Sequence, residues 1–239
     1  MGGEVDYKKI KSIGLQTDTI QKIEYNTPLS FNIEMWADIV LSDEQVREIA
    51  RYYFNTPVFH KLYIRHTDWH GIYMDCTINN ITKVEGGIGK DYGVVGFKGT
   101  VTCSAPWAFE DWKDEIYLKS ESEIGAGMVF DNISDSKDYM YPIITIKTGA
   151  TCTGITLTNT TDNGYQTILS TTGDDLKSKT IIMRPLEGTV KQGSVSLYSF
   201  FNKKFFRFVP GENAFSVVSS PSNTIDEFTI TYQNVRVIT

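Results

Sequence analysis

The chain has 239 residues, 41% hydrophobic and 13% aromatic, enough to build a sizeable core in one large domain or two ordinary ones. Its apolar runs fall far short of the ~20 residues a membrane helix needs, and the opening MGGEVDYKKIKSIG has no apolar signal-peptide core, so neither membrane insertion nor signal-directed secretion is expected. The net charge of −6 is spread evenly, with 13 Lys/Arg against 17 Asp/Glu in residues 1–119 and 10 against 12 in the rest, which leaves no basic face for nucleic-acid phosphates.

The first strand signal is the alternation of Phe31, Ile33 and Met35. A helix follows. Ser42-Asp43-Glu44-Gln45 is a capping box, in which the Ser42 oxygen accepts from the Gln45 amide while the Gln45 side chain reaches back to the Ser42 amide. Leu41 is placed to staple onto Val46, and Val46, Ile49, Ala50 and Tyr53 recur at helical spacing, with Glu44, Arg47, Glu48 and Arg51 facing outward. Asn55-Thr56-Pro57 is the expected stop.

Period-two patterns return in Ile72, Met74, Cys76 and Ile78, and in Val95, Phe97, Gly99, Val101 and Cys103, so the first half reads as α+β. The glycines of Glu85–Asp91 precede a strand and not a helix, which suits a hairpin tip better than a phosphate-binding loop. The character of the chain changes within Ser104–Tyr117, SAPWAFEDWKDEIY, and this places a domain boundary near residue 113: residues 1–113 and 114–239. Beyond it, threonine is abundant and strands are short, at Ile143–Lys147, Thr153–Asn159, Tyr165–Leu169, Lys179–Arg184, Ser194–Phe200, Lys204–Val209, Ala214–Val218 and Phe228–Val237, the spacing of a β-sandwich. The parity slip between Tyr232 and Val235 predicts a bulge at Gln233-Asn234.

No constellation specifies catalysis, a metal site or a cofactor. His60, His66 and His70 lie close together, but HTDWH lacks the glutamate that a HExxH zinc site requires and sits between strand-like flanks. Cys76, Cys103 and Cys152 are widely spaced and fit buried thiols. Asp131, Asn132, Asp135 and Asp138 form an acidic loop without EF-hand spacing. All four tryptophans precede residue 113, which weakens a sugar-binding reading of the second half. Val209-Pro210-Gly211-Glu212 suits a type II hairpin turn, with Pro210 fixing φ, Gly211 taking the positive φ and Asn213 tying its side chain to nearby backbone.

The stretch FFRFVPGENAFSVV followed by IDEFTITYQNVRVIT resembles the C-terminal signature of distal tail proteins of long-tailed, siphovirus-type bacteriophages. VFDNISDSKDYMYPIITIK, GITLTNTTDN and KTIIMRPLEGTV look like the same family's preceding strands, and the capped helix and TVTCSAPWAF resemble its first domain. The Pro-Gly-Arg-Gly-like stretch that usually precedes the helix is not visible.

The resemblance implies a mainly β protein: an α+β ring-forming (belt) domain with one helix packed on strands, then a galectin-like antiparallel β-sandwich. It implies a structural protein of the virion and not an enzyme, made in the host bacterial cytoplasm and sited at the distal end of the tail. There it would assemble with itself as a hexameric ring and join the tail tube and tape-measure proteins to a tail-tip or baseplate protein, while DNA passes through the lumen without specific binding. The rival reading is a carbohydrate-binding adhesin that attaches the tail to the host surface.

Overall fold

The computed structural model describes residues 28–37, 39–53, 58–63, 71–87 and 92–237. Among the described residues strands dominate, with one α-helix, and every strand pair with a defined register is antiparallel. Two compact units divide between Glu110 and Asp111, with Arg236 and Val237 grouped with the first.

In the first unit, β1 (Ser30–Trp36), β2 (His60–Tyr63), β3 (Ile72–Gly86), β4 (Gly93–Cys103), β5 (Ala108–Glu110) and β16 (Val235–Arg236) build one sheet. Its order is β1-β4-β3-β5-β16, with β2 also beside β3. The period-two pattern has a direct consequence: Ile72, Met74, Cys76, Val101 and Cys103 turn to one face and are buried. Thr77, Asn79, Lys98 and Thr100 face the other way, where Lys98 pairs with Glu34 at 2.6 Å and Thr100 Oγ1 donates to Asn32 Oδ1 at 3.1 Å. Strand β3 carries a register shift between Asn79 and Thr82, and Asn80 takes the left-handed φ of 54° there. Gly96 is required by close approach, since a Cβ there would lie 2.3 Å from the Met35 carbonyl oxygen.

Helix α1 (Asp43–Tyr53) lays Val46 against Phe97, with Met35, Leu41, Ile49 and Val94 around them. The Leu41–Val46 staple is thus in place. Ala50, expected on the buried stripe, is exposed instead, because the helix touches the sheet along the narrower ridge of Val46 and Ile49. Asn55-Thr56-Pro57 lies outside the described residues. Gly86 pairs with Gly93 across the β3–β4 hairpin, whose tip at 88–91 also lies outside them.

The second unit is a two-sheet sandwich. β7 (Met128–Asn132), β9 (Gly154–Asn159), β10 (Tyr165–Ser170) and β14 (Gly211–Ser220) form a sheet of order β10-β9-β14-β7. β6 (Lys113–Leu118), β8 (Ile143–Thr148), β11 (Thr180–Arg184), β12 (Thr189–Gln192), β13 (Val195–Ser196) and β15 (Ile225–Tyr232) form the other, of order β13-β12-β11-β8-β15-β6. Alternate residues of both sheets, among them Phe130, Ile144, Leu157, Ile181, Phe215 and Phe228, enclose one core.

Two expected strands differ. Ser194–Phe200 yields only the two-residue β13 and a 3₁₀ turn at Tyr198–Phe200. Lys204–Val209 joins no sheet, and its sole bridge is Met140 with Phe208. The chain after Tyr232 leaves its sheet at Gln233-Asn234 and resumes as β16 in the first unit's sheet.

Candidate functional site

The segment FFRFVPGEN keeps a strand's alternation without a strand's partners. Phe206 and Phe208 are fully buried, Phe208 stacking on Phe130 with ring centroids 4.2 Å apart, while Arg207 points outward. β14, which follows it, takes its ladder from β7 along Gly211–Phe215 and from β9 along Phe215–Ser220, and residues 204–209 form no ladder with it. The expected hairpin is therefore a turn that leads a loop into a central strand.

Side-chain amides take the place of the missing ladder. Asn159 Nδ2 donates to the Arg207 carbonyl at 2.9 Å, and Asn132 Nδ2 donates to the Val209 carbonyl at 3.1 Å. Asn213 Oδ1 accepts from the Val209 amide at 2.9 Å, and Asn213 Nδ2 donates to the carbonyls of Val209 (2.8 Å) and Gly211 (2.7 Å). Gly211 has φ 85°, the value that the third place of a type II turn needs, and Pro210 precedes it at the bend. The three asparagines lie on three adjacent strands and their side chains are all buried. The sequence signal was available: VFDN, ITLTN and PGEN each put an asparagine at or beside a strand end.

Outside this lock, Arg207 Nε donates to Asp162 Oδ2 at 2.7 Å. Its guanidinium lies between two rings, 3.7 Å from the Tyr139 centroid and 4.0 Å from that of Tyr165. The hydrogen bond it gives Asp162 raises the Arg207 pKa further. The Asp162 amide in turn donates to Asn159 Oδ1 at 3.2 Å, which couples clasp and lock.

At the helix start, the Ser42 amide donates to Gln45 Oε1 at 2.9 Å and the Gln45 amide donates to Ser42 Oγ at 3.3 Å. His60 is exposed on β2 opposite Cys76, while His66 and His70 lie outside the described residues. Cys76, Cys103 and Cys152 are free and buried. Burial pushes the Cys76 thiol up to about 11, with smaller contributions from Cys103 opposite it and from Asp75, and burial also raises Cys103. These are poor nucleophiles at neutral pH. Asp131, Asp135 and Asp138 are exposed and do not converge, and Asn132 is committed to the turn. Among the described residues, no three His, Cys, Asp or Glu side chains gather as a metal-binding group.

One further recess lies on the second unit. Trp112 and Tyr141, 50% and 43% exposed, share a pocket of about 190 Å³ with Ile143 and the β11–β12 turn. The Gly188 amide donates to the Pro185 carbonyl at 3.0 Å, and this closes the turn and presents Leu186, 89% exposed, at the rim. Arg184 and Glu187 flank it, 3.7 Å apart.

Among the described residues the chain is mainly β, with one capped helix and a sandwich. Its family is shown directly: a family model described as the phage tail C-terminal domain matches residues 108–232, just over half of the chain, and the chain belongs to that family. No curated protein sequence matches it. Among solved structures, the fold is shared with the Dit protein (gp 19.1) of phage SPP1, described as a paradigm of the hub adsorption apparatus in phages infecting Gram-positive hosts. The TM-score is 0.59 at 8% identity, over 86% of this chain and 78% of that one. Chains of the phage P2 baseplate in its activated conformation align less closely. The calcium form gives a TM-score of 0.43 at 12% identity, over 86% of this chain and 78% of that one. The strontium form gives 0.42 at 12% identity, over 85% and 78%.

Proposed function

We propose that this chain is the structural hub of a bacteriophage tail, a homo-oligomer, hexameric by resemblance, that connects the tail tube to the tail tip or baseplate. Membership of the phage tail family over residues 108–232 carries this reading. Support comes from the fold shared with the SPP1 Dit protein, itself described as a hub. In this reading the first unit forms the belt of the ring and the second, from Asp111 to Val235, a galectin-like sandwich directed outward. The ring sits at the distal end of the virion tail, contacts the tube, tape-measure and tip proteins, and performs no catalysis. A net charge of −6 suits a lumen through which DNA passes without being held.

Electron microscopy and native mass spectrometry of the full chain, alone and with the tail-tube and tip proteins encoded beside it, test this. Six-fold rings that bind both partners are expected. A monomer that stays monomeric with both partners present overturns the proposal.

A further inference from the structure

We propose that the recess bounded by Trp112, Tyr141 and Leu186 is a saccharide subsite that takes one neutral pyranose ring of a cell-surface glycan. A boundary near residue 113 leaves the second domain without tryptophan, but the two units divide after Glu110, and Trp112 belongs to the sandwich. It is half exposed beside Tyr141, so two aromatic surfaces are available to the apolar C–H face of a sugar ring.

The polar groups fit the same ligand. Arg184 and Glu187 are 3.7 Å apart, beyond hydrogen-bond distance, and their side chains are 42% and 58% exposed. One supplies donors and the other acceptors, which is what neighbouring hydroxyls need, since each hydroxyl both donates and accepts. Their charges cancel across the pocket mouth, so neither an anion nor a cation is favoured over a neutral ligand. A volume of about 190 Å³ admits a single ring and is far too small to account for a stable protein interface.

The walls are held before any ligand arrives. Ile143 opens β8 and Arg184 ends the adjacent β11, whose register places Met183 opposite Ile144. Tyr141 meets Tyr139 edge-on with ring centroids 6.5 Å apart, and Tyr139 lies against Arg207, which Asp162 and the Tyr165 ring also hold. The clasp beside the asparagine lock thus also sets one side of the pocket.

The test uses the full chain labelled with 5-fluorotryptophan and read by fluorine NMR, a measurement that tolerates a large ring. The four tryptophans give separate signals, and loss of one in Trp112→Phe assigns Trp112. Glucose, galactose and N-acetylglucosamine are titrated singly into the millimolar range. At least one should shift the Trp112 signal saturably and leave the Trp36 signal in place, with the shift abolished in Arg184→Ala and weakened severalfold in Leu186→Ala. Leu186 is so exposed that its truncation leaves folding intact. The site is overturned if none of the three sugars moves the Trp112 signal, or if the shift survives in Arg184→Ala. Because the readout is local, a ring without a sugar shift overturns the subsite alone, and a shift in a chain that never forms rings overturns the hub alone.

Discussion

Asn159 Nδ2 donates to Asn213 Oδ1 at 3.0 Å, between two side chains with no solvent exposure. Through this bond the central strands β9 and β14 hold a loop that no strand pairs. Asn213 makes four bonds, two as donor and two as acceptor, which uses the whole capacity of its amide. Asn213→Ala strands the Val209 amide and takes an acceptor from the buried Asn159 amide, while the Val209 carbonyl keeps its bond from Asn132, and at roughly 1–3 kcal/mol for a buried unsatisfied group the loss should be about 2 kcal/mol. Urea unfolding monitored by circular dichroism measures it. Asn213→Asp should not rescue, because it removes both donors and buries a charge. A loss under about 1 kcal/mol would mean that the lock carries no weight.

Gly211 and Gly96 separate conformational from steric cost. A Cβ on Gly211 meets nothing within 4 Å, yet its φ is 85°. Gly211→Val should therefore destabilise through backbone strain alone, by about 1 kcal/mol or more, and Gly211→Asn, which tolerates the left-handed region, by less. Gly96→Ala instead drives a methyl to 2.3 Å from the Met35 carbonyl and should cost more than Gly211→Val despite adding fewer atoms. Melting temperatures of the three variants give the order, and an unchanged value for Gly211→Val would count against the turn.

What the sequence made legible was periodic or local. The capping box needs only residues three apart, β1, β3 and β4 show themselves by alternation, and β8, β9 and β10 by short threonine-rich runs at the spacing of a sandwich. What it hid depends on pairing partners distant in the chain. Phe206, Arg207 and Phe208 alternate like a strand, and nothing local reveals that β14 takes its ladder partners from the distant β7 and β9 and none from residues 204–209. Asn132 looked like part of an acidic loop, because the carbonyl it serves belongs to Val209, 77 positions away. Trp112 was discounted for the same reason: a boundary a few residues off moves it between units.

Cys76 makes stability fall at alkaline pH. Its folded thiol titrates near 11, against an ordinary value near 9, chiefly because the thiolate would be buried. A raised folded pKa favours the protonated state, so this contribution is fully present below about 9 and is lost as pH rises through about 11. Chemical denaturation at pH 8, 9.5 and 11 should show a drop that shrinks in Cys76→Ala measured against its own pH 8 value. Native chain should also react slowly with a disulfide reagent at pH 8 and rapidly once unfolded. Fast labelling of Cys76 in the native state would contradict its burial.

Arg207 is held by charge and by stacking, and these come apart in mutants. Its partner Asp162 has a side chain only 7% exposed, so Arg207→Met leaves a carboxylate in a poorly hydrated place. Breaking such a pair typically costs about 3–5 kcal/mol, most of it from the stranded charge and not from the lost attraction. Arg207→Met with Asp162→Asn should therefore be more stable than Arg207→Met alone, a non-additivity that a double-mutant cycle measures directly. Arg207→Lys keeps the charge but cannot lie flat between Tyr139 and Tyr165, and its stability should fall between wild type and Arg207→Met. If the double variant is no better than Arg207→Met, the ionic contact is incidental and the two tyrosine rings hold the arginine. The pocket beside Tyr141 would then depend on stacking alone.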